Sequence, residues 1–181
     1  LAARNPLQFR GELAQSFHNV GYLCYHNAQY KKGLEYTFKG LDIRNELSKN
    51  NPIKYLPLLA WSHHNISSFY TDLGDKISAI YHAKEAYELR RKWNEENPQS
   101  FITEIIQMAS NIASLYSDIG NKEESANWQE KVIEQTKLLP DNKKSVNALG
   151  KSYHSLAETN NKLGNKEKAI ELMKKAFQNF N

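Results

Sequence analysis

Asparagine stands at Asn19, Asn65 and Asn111, three times at an interval of 46 residues, and each time a polar side chain precedes it: His18-Asn19, His64-Asn65, Ser110-Asn111. His154-Ser155 continues the series with serine in place of the amide. An amide carries two donors on nitrogen and an acceptor on oxygen, so a row of amides can hydrogen-bond the backbone of an extended peptide without demanding a particular sequence. Asparagine is only a modest helix former, and its return at one helical position asks for a reason. The plain alternative is that each amide bonds its own or the adjacent helix and fixes the repeat register.

Other chemistries find less support. There are six histidines but no His-Glu-x-x-His, and His63 and His64 are adjacent, so on a helix they point apart; no metal site is expected. Cys24, the sole cysteine, falls among apolar residues of a helical stripe and reads as a small core residue. Neither a glycine-rich phosphate loop, nor a serine elbow, nor a kinase motif occurs. The reading is non-enzymatic and free of cofactors.

The elements that hold these residues repeat too. Asn-Pro recurs at Asn5-Pro6, Asn51-Pro52 and Asn97-Pro98, and Ala28, Gly74, Gly120 and Gly164 mark a second ruler with intervals of 46, 46 and 44. Before Gly74, the residues Ile66, Phe69, Tyr70 and Leu73 form one apolar helical stripe; after Asp75, a possible cap, come Ala79, Ile80, Ala83, Ala86 and Tyr87 on a second helix. Ile112, Leu115, Tyr116 and Ile119 repeat the stripe before Gly120, and Leu156 and Leu163 before Gly164. The first repeat is the loosest, with Val20, Leu23 and Cys24, then Gly33 and Gly40. Each Asn-Pro should stop one helix and start the next, and Pro57 should lie in the first turn of its helix.

This pattern resembles the tetratricopeptide repeat, in which a first helix ends at a glycine-containing turn and a second carries alanines. The small residue of the family's first helix maps to Gly21, Ser67, Ala113 and Ala157, and its second-helix alanines to Ala79 and Ala86, and to Ala169 and Ala176; Gly33, Gly40, Ser125 and Val132 depart from it. The resemblance implies an all-α, right-handed superhelical α-solenoid of four helix-turn-helix repeats, near 7–50, 53–96, 99–138 and 142–181, in a single array over 1–181. The period exceeds the family's usual unit of about 34 residues and is similar to its kinesin-light-chain-like and bacterial regulatory branches.

The same resemblance implies a concave groove lined by the first helix of each repeat. Its expected lining is His18, Asn19, Tyr22, Trp61, His64, Asn65, Gln107, Asn111, Lys151 and His154. Trp61 reads either as an aromatic anchor for a peptide or as a packing residue between repeats. The carboxylate clamp of the family's chaperone-tail receptors maps onto His64, Ser68, Asn111, Lys151 and Ser155, and only Asn111 and Lys151 match it.

The composition suits a soluble helical protein: 24% charged residues, a mean hydropathy of -0.72, and no run that approaches the roughly 20 apolar residues of a membrane span. With one cysteine and no visible targeting segment, a reducing, cytoplasmic setting is expected. A net charge of +4 is spread among interspersed charges, which argues against nucleic acid, although lysines gather late in the chain and favour an acidic partner there. The expected partner is therefore a protein or an extended peptide, acidic near the C-terminal end. Leu1–Pro6 reads like the tail of an earlier repeat, so the chain is expected to be a piece of a longer protein. Two alternatives follow: a sensor or autoinhibitory domain beside an enzymatic one, and self-association through end repeats, where Ile170, Met173, Phe177 and Phe180 form an apolar stripe.

Overall fold

The computed structural model describes residues 6–96 and 101–180, with side chains for 9–95 and 101–180. These residues form eight α-helices: α1 (Pro6–His26), α2 (Tyr30–Asn50), α3 (Pro52–Asp72), α4 (Lys76–Glu96), α5 (Ile102–Asp118), α6 (Lys122–Thr136), α7 (Lys143–Lys162) and α8 (Lys166–Gln178). Among the described residues no strand occurs and no helix is long and apolar enough to cross a membrane. The chain divides into two compact units, Leu1–Glu96 and Asn97–Asn181. In the first, α1 to α4 pack in chain order, each on the next; in the second, α5 to α8 do the same. The fold is an all-α solenoid of helix-turn-helix repeats.

Why the chain turns where it does follows from backbone geometry. Gly74, Gly120 and Gly164 take φ of 83°, 78° and 85°, the left-handed region that closes a helix C-terminus most easily at glycine. Ala28 holds the same place in the first repeat with φ 55°, against the cost of its Cβ. Side chains cap α4, α6 and α7. Asp75 accepts from the Ser78 amide at 3.0 Å, Asn121 from that of Glu124 at 3.1 Å, and Asn142 from those of Lys144 and Ser145 at 3.0 and 3.1 Å.

At Asn51-Pro52 the expected break is present: α2 ends at Asn50, Asn51 accepts from the Lys54 amide at 3.2 Å, and Pro52 opens α3. Asn5 and Asn97-Pro98 lie outside the described residues. Pro57 differs from expectation. Because α3 already starts at Pro52, Pro57 sits inside the helix, beyond the first turn, where its missing N–H does leave a carbonyl to be served by another donor.

Close approach within each helical hairpin uses the small-residue positions. In the second repeat Ser67 Oγ donates to the Ala79 carbonyl at 2.8 Å; in the third Ser125 Oγ donates to the Ala113 carbonyl at 2.8 Å. The two bonds join equivalent positions, 46 residues on, with donor and acceptor helices exchanged. Ser125 is thus a reciprocal of Ser67 rather than a loss of the alanine. In the first repeat a Cβ on Gly33 would stand 2.5 Å from the Phe69 ring, and one on Gly40 would stand 3.1 Å from the Ala14 carbonyl oxygen. Glycine replaces alanine there because neighbours occupy that space.

Apolar burial then fixes each unit. Ile66, Phe69, Ala79, Ala83 and Ala86 are buried between α3 and α4, and Cys24 is buried with them in the first unit. In the second unit Ala126, Ile133, Leu156, Ala157 and Leu172 form a cluster with Leu149, Tyr153 and Leu163 against it. Leu23, expected on the first stripe, is 60% exposed, while its neighbour Cys24 takes the buried side of the same turn.

Candidate functional site

In the first unit the polar and aromatic residues of α1 and α3 meet. Tyr22, Tyr25, His26, Asn65, Ser68 and Phe69 line a cleft of about 150 Å³. Its walls are rings set edge to face: Tyr22 to His26 at 4.2 Å, and Tyr25 to Phe69 at 5.2 Å. The Tyr25 hydroxyl donates to Asp72, and this bond to a carboxylate pushes its pKa up to about 12. Beside the cleft, Trp61 is 46% exposed and stands between His18 and His64, with ring centroids 6.4 and 6.3 Å away. Burial lowers the pKa of both histidines, assisted by Arg44 at His18 and by Arg90 at His64, so both are neutral at pH 7.

The asparagines have partners of their own. Gln15 Nε2 donates to Asn19 Oδ1 at 2.9 Å, and Gln107 Nε2 donates to Asn111 Oδ1 at 2.9 Å, one turn back on the same helix in both repeats. Asn65, with Trp61 where the others have glutamine, instead meets His18 Nδ1 of the previous repeat through Nδ2 at 3.4 Å. The oxygen of Asn19 and Asn111 is engaged while their amide N–H groups carry no bond among the described residues. Asn19 and Asn111 can therefore donate more readily than they can accept, whereas Asn65 has its Nδ2 already engaged.

Behind it lies a residue the sequence did not single out. Arg44 on α2 is 2% exposed and donates to the Leu58 carbonyl at 3.1 Å, to Ser62 Oγ at 2.6 Å and to Gln15 Oε1 at 3.0 Å. A buried guanidinium thus ties α1 to α3 and, through Gln15, reaches Asn19. Desolvation lowers its pKa to about 10, which still leaves it charged at neutral pH. Its only sequence signal is its place one period before Arg90.

In the second unit a cleft of about 400 Å³ opens between α5 and α7 over α6. Hydroxyls dominate it: Ser110, Ser114 and Ser117 from α5, Ser152, Ser155 and Thr159 from α7. Lys151 and Lys162 stand in it with one acid, Glu158. Gln129 of α6 forms part of the floor, its Nε2 donating to Ser155 Oγ at 3.2 Å while its buried Oε1 meets no donor. Of the expected residues, Lys151 lines this cleft; Gln107 and Asn111 lie on α5 outside its lining, and His154 is exposed and also outside it. Among the described residues, no group of three or more His, Cys, Asp or Glu is placed to hold a metal ion.

Comparison with known proteins agrees with the geometry. Tetratricopeptide repeat models match residues 105–135 and 150–179. Among curated proteins nothing matches the chain. Solved structures share the fold: a kinesin light chain of nearly identical TPR-like repeats from Podosopora anserina aligns at 17% identity over 92% of this chain and 74% of its own, with a TM-score of 0.67. BtubC (BKLC) from P. vanneervenii aligns at 16% identity over 92% of this chain and 63% of its own, with a TM-score of 0.68. Aspartyl phosphate phosphatase F from Bacillus subtilis aligns at 20% identity over 94% of this chain, which spans only 40% of that structure, with a TM-score of 0.66. Helical hairpins closed by left-handed glycines, small residues at the hairpin contacts and the two matching models agree: the chain carries tetratricopeptide repeats, matched over residues 105–135 and 150–179.

Proposed function

We propose that the chain is a non-catalytic scaffold that holds an extended peptide segment of a partner protein against the first helix of each repeat. The observation that carries this reading is that, in each unit, the first helices of successive repeats flank a cleft: α1 and α3 through Tyr22 and Asn65, α5 and α7 through Ser110 and Lys151. Tetratricopeptide repeats are protein-interaction scaffolds, and a polar lining with a few aromatic walls suits a backbone-reading, moderate-affinity contact. Free amide N–H groups on Asn19 and Asn111 would take peptide carbonyls, and the exposed rings of Tyr22 and Trp61 would seat side chains.

The test is selection from a random peptide library, followed by measurement of the selected peptides on Asn19→Ala combined with Asn111→Ala. The proposal expects binding to weaken about tenfold, two lost hydrogen bonds at about 0.5–1.5 kcal/mol each, with the helical circular dichroism unchanged. Unaltered affinity of every selected peptide would contradict it.

A further inference from the structure

In the second unit a line of positive charge runs along α7. α7 has four lysines, Lys143, Lys144, Lys151 and Lys162, against a single acid, Glu158. At 100° per residue Lys144, Lys151, Ser155, Glu158 and Lys162 fall on one face, and the hydroxyl-lined cleft opens on it. A neighbouring open cleft of about 570 Å³, formed by Lys143, Lys144, Asn147, Ala148 and Lys151, continues past Lys151. Two other lysines of this unit are neutralised locally, Lys168 by Glu130 at 2.8 Å and Lys175 by Glu171 at 2.6 Å. None of the four on α7 forms an ion pair among the described residues.

We infer that this face of α7 receives an extended acidic segment of a partner protein, its carboxylates spaced to match Lys144, Lys151 and Lys162. The inference rests on the peptide-scaffold reading above and gives it a partner chemistry. A helix rises about 1.5 Å per residue, so Lys144 and Lys151 are about 10 Å apart along the axis and Lys151 and Lys162 about 16 Å. An extended chain advances about 3.3 Å per residue, so the matching acids lie about three and about five residues apart. Glu158, between Lys151 and Lys162, repels an acid in that interval and selects a neutral residue there. Gln129 adds a backbone contact: its buried Oε1 needs a donor, which a peptide N–H passing through the cleft supplies. With the amide turned over, its N–H would take a peptide carbonyl instead.

Three synthetic peptides test this, capped at both ends and on a serine-alanine background: one with glutamates at the matching spacing, one with the same glutamates adjacent, one with glutamines at the matching positions. Fluorescence anisotropy at low and at physiological ionic strength reads the affinity. The spaced glutamate peptide should bind several-fold tighter than the other two and weaken with salt. Lys151→Glu with Lys162→Glu should weaken it about tenfold or more, because two attractions become repulsions, and Gln129→Met should weaken it a few-fold at either salt. Lys166→Glu with Lys174→Glu, exposed and of equal charge change, should leave it nearly unaltered. Equal loss in both reversal pairs, or equal binding of spaced and adjacent glutamates, would replace the matched line by diffuse charge and overturn the inference. Equal binding of the glutamine peptide overturns it too, yet leaves the scaffold reading standing. No binding by any of the three at low ionic strength ends the inference, while peptides from the library still decide the scaffold reading.

Discussion

Trp93 on α4 donates its indole N–H to the Ile53 carbonyl of α3 at 3.2 Å, and Ile53 is the residue whose helical donor is missing because Pro57 stands four positions later. A proline inside a helix normally costs about 3 kcal/mol, partly through the lost bond; here the neighbouring helix supplies the replacement. Trp93→Phe should therefore destabilise the first unit by about 1 kcal/mol through that bond, and less in a Pro57→Ala background, where the backbone N–H returns. A double-mutant cycle by urea denaturation reads the coupling. Strictly additive losses would show that Trp93 acts by packing alone.

Gly33 of the first repeat and Phe69 of the second make another pairing, this one between repeats. Phe69 is 1% exposed, and a Cβ on Gly33 would meet two of its ring carbons at 2.5 Å. Gly33→Ala should cost about 1–3 kcal/mol as an overpacked contact, despite alanine's better helix propensity. The variant Gly33→Ala with Phe69→Leu should recover part of it. Stabilisation by the single substitution, measured by thermal unfolding, would mean that the ring moves aside freely.

Much of the fold was legible because its punctuation is local chemistry. Left-handed turn residues, an Asx cap at Asp75 and the Asn51-Pro52 break each act within a few residues, so spacing alone exposed them. Contacts over longer separations were not. Arg44 reaches 29 residues back to Gln15 and 18 forward to Ser62, and nothing near it in sequence announces a buried cation. The site was legible in residue type but not in partnership: the asparagine row stood out, while Gln15 and Gln107 occupying two of its oxygens required the helices in place. The hydroxyl cleft was missed because serines on a helix read as solvated surface until α5 and α7 face each other across Gln129.

The turn ruler predicts opposite signs for one exchange. Ala28 holds φ 55°, and Gly120 holds φ 78° with nothing near its missing Cβ. A left-handed conformation costs an L-residue about 1–2 kcal/mol, offset in Ala28→Gly by about 0.4–1 kcal/mol of added unfolded-state entropy. Ala28→Gly should raise the stability of the first unit by up to about 1 kcal/mol and Gly120→Ala should lower that of the second by about as much. Local hydrogen-exchange protection, read unit by unit, checks both; loss of protection in Ala28→Gly would place a compensating contact at that methyl.

The last relationship gives the stability a pH dependence. His63 and His82 meet through their Nδ1 atoms at 3.0 Å, so one nitrogen donates and the other accepts; the accepting ring must be neutral, and protonation of both breaks the bond. Tyr70 stacks on His82 at 5.7 Å, and Phe38 and Tyr81 stand edge-on to it at 5.7 and 5.0 Å. Burial, then the neighbouring His82, lowers His63 from 6.5 to about 4; burial lowers His82 as well. A depressed folded-state value means that the unfolded chain binds the proton more readily. The contribution is therefore complete above about pH 6.5 and is lost as pH falls towards 4. The thermal midpoint should drop between about pH 7 and about pH 5, before most carboxylates titrate. His63→Gln, which keeps a hydrogen-bonding group beside His82 and removes one titrating ring, should flatten that drop while lowering the midpoint at neutral pH. An unchanged slope in the variant would assign the acid sensitivity to His18 and His64, which burial shifts in the same direction.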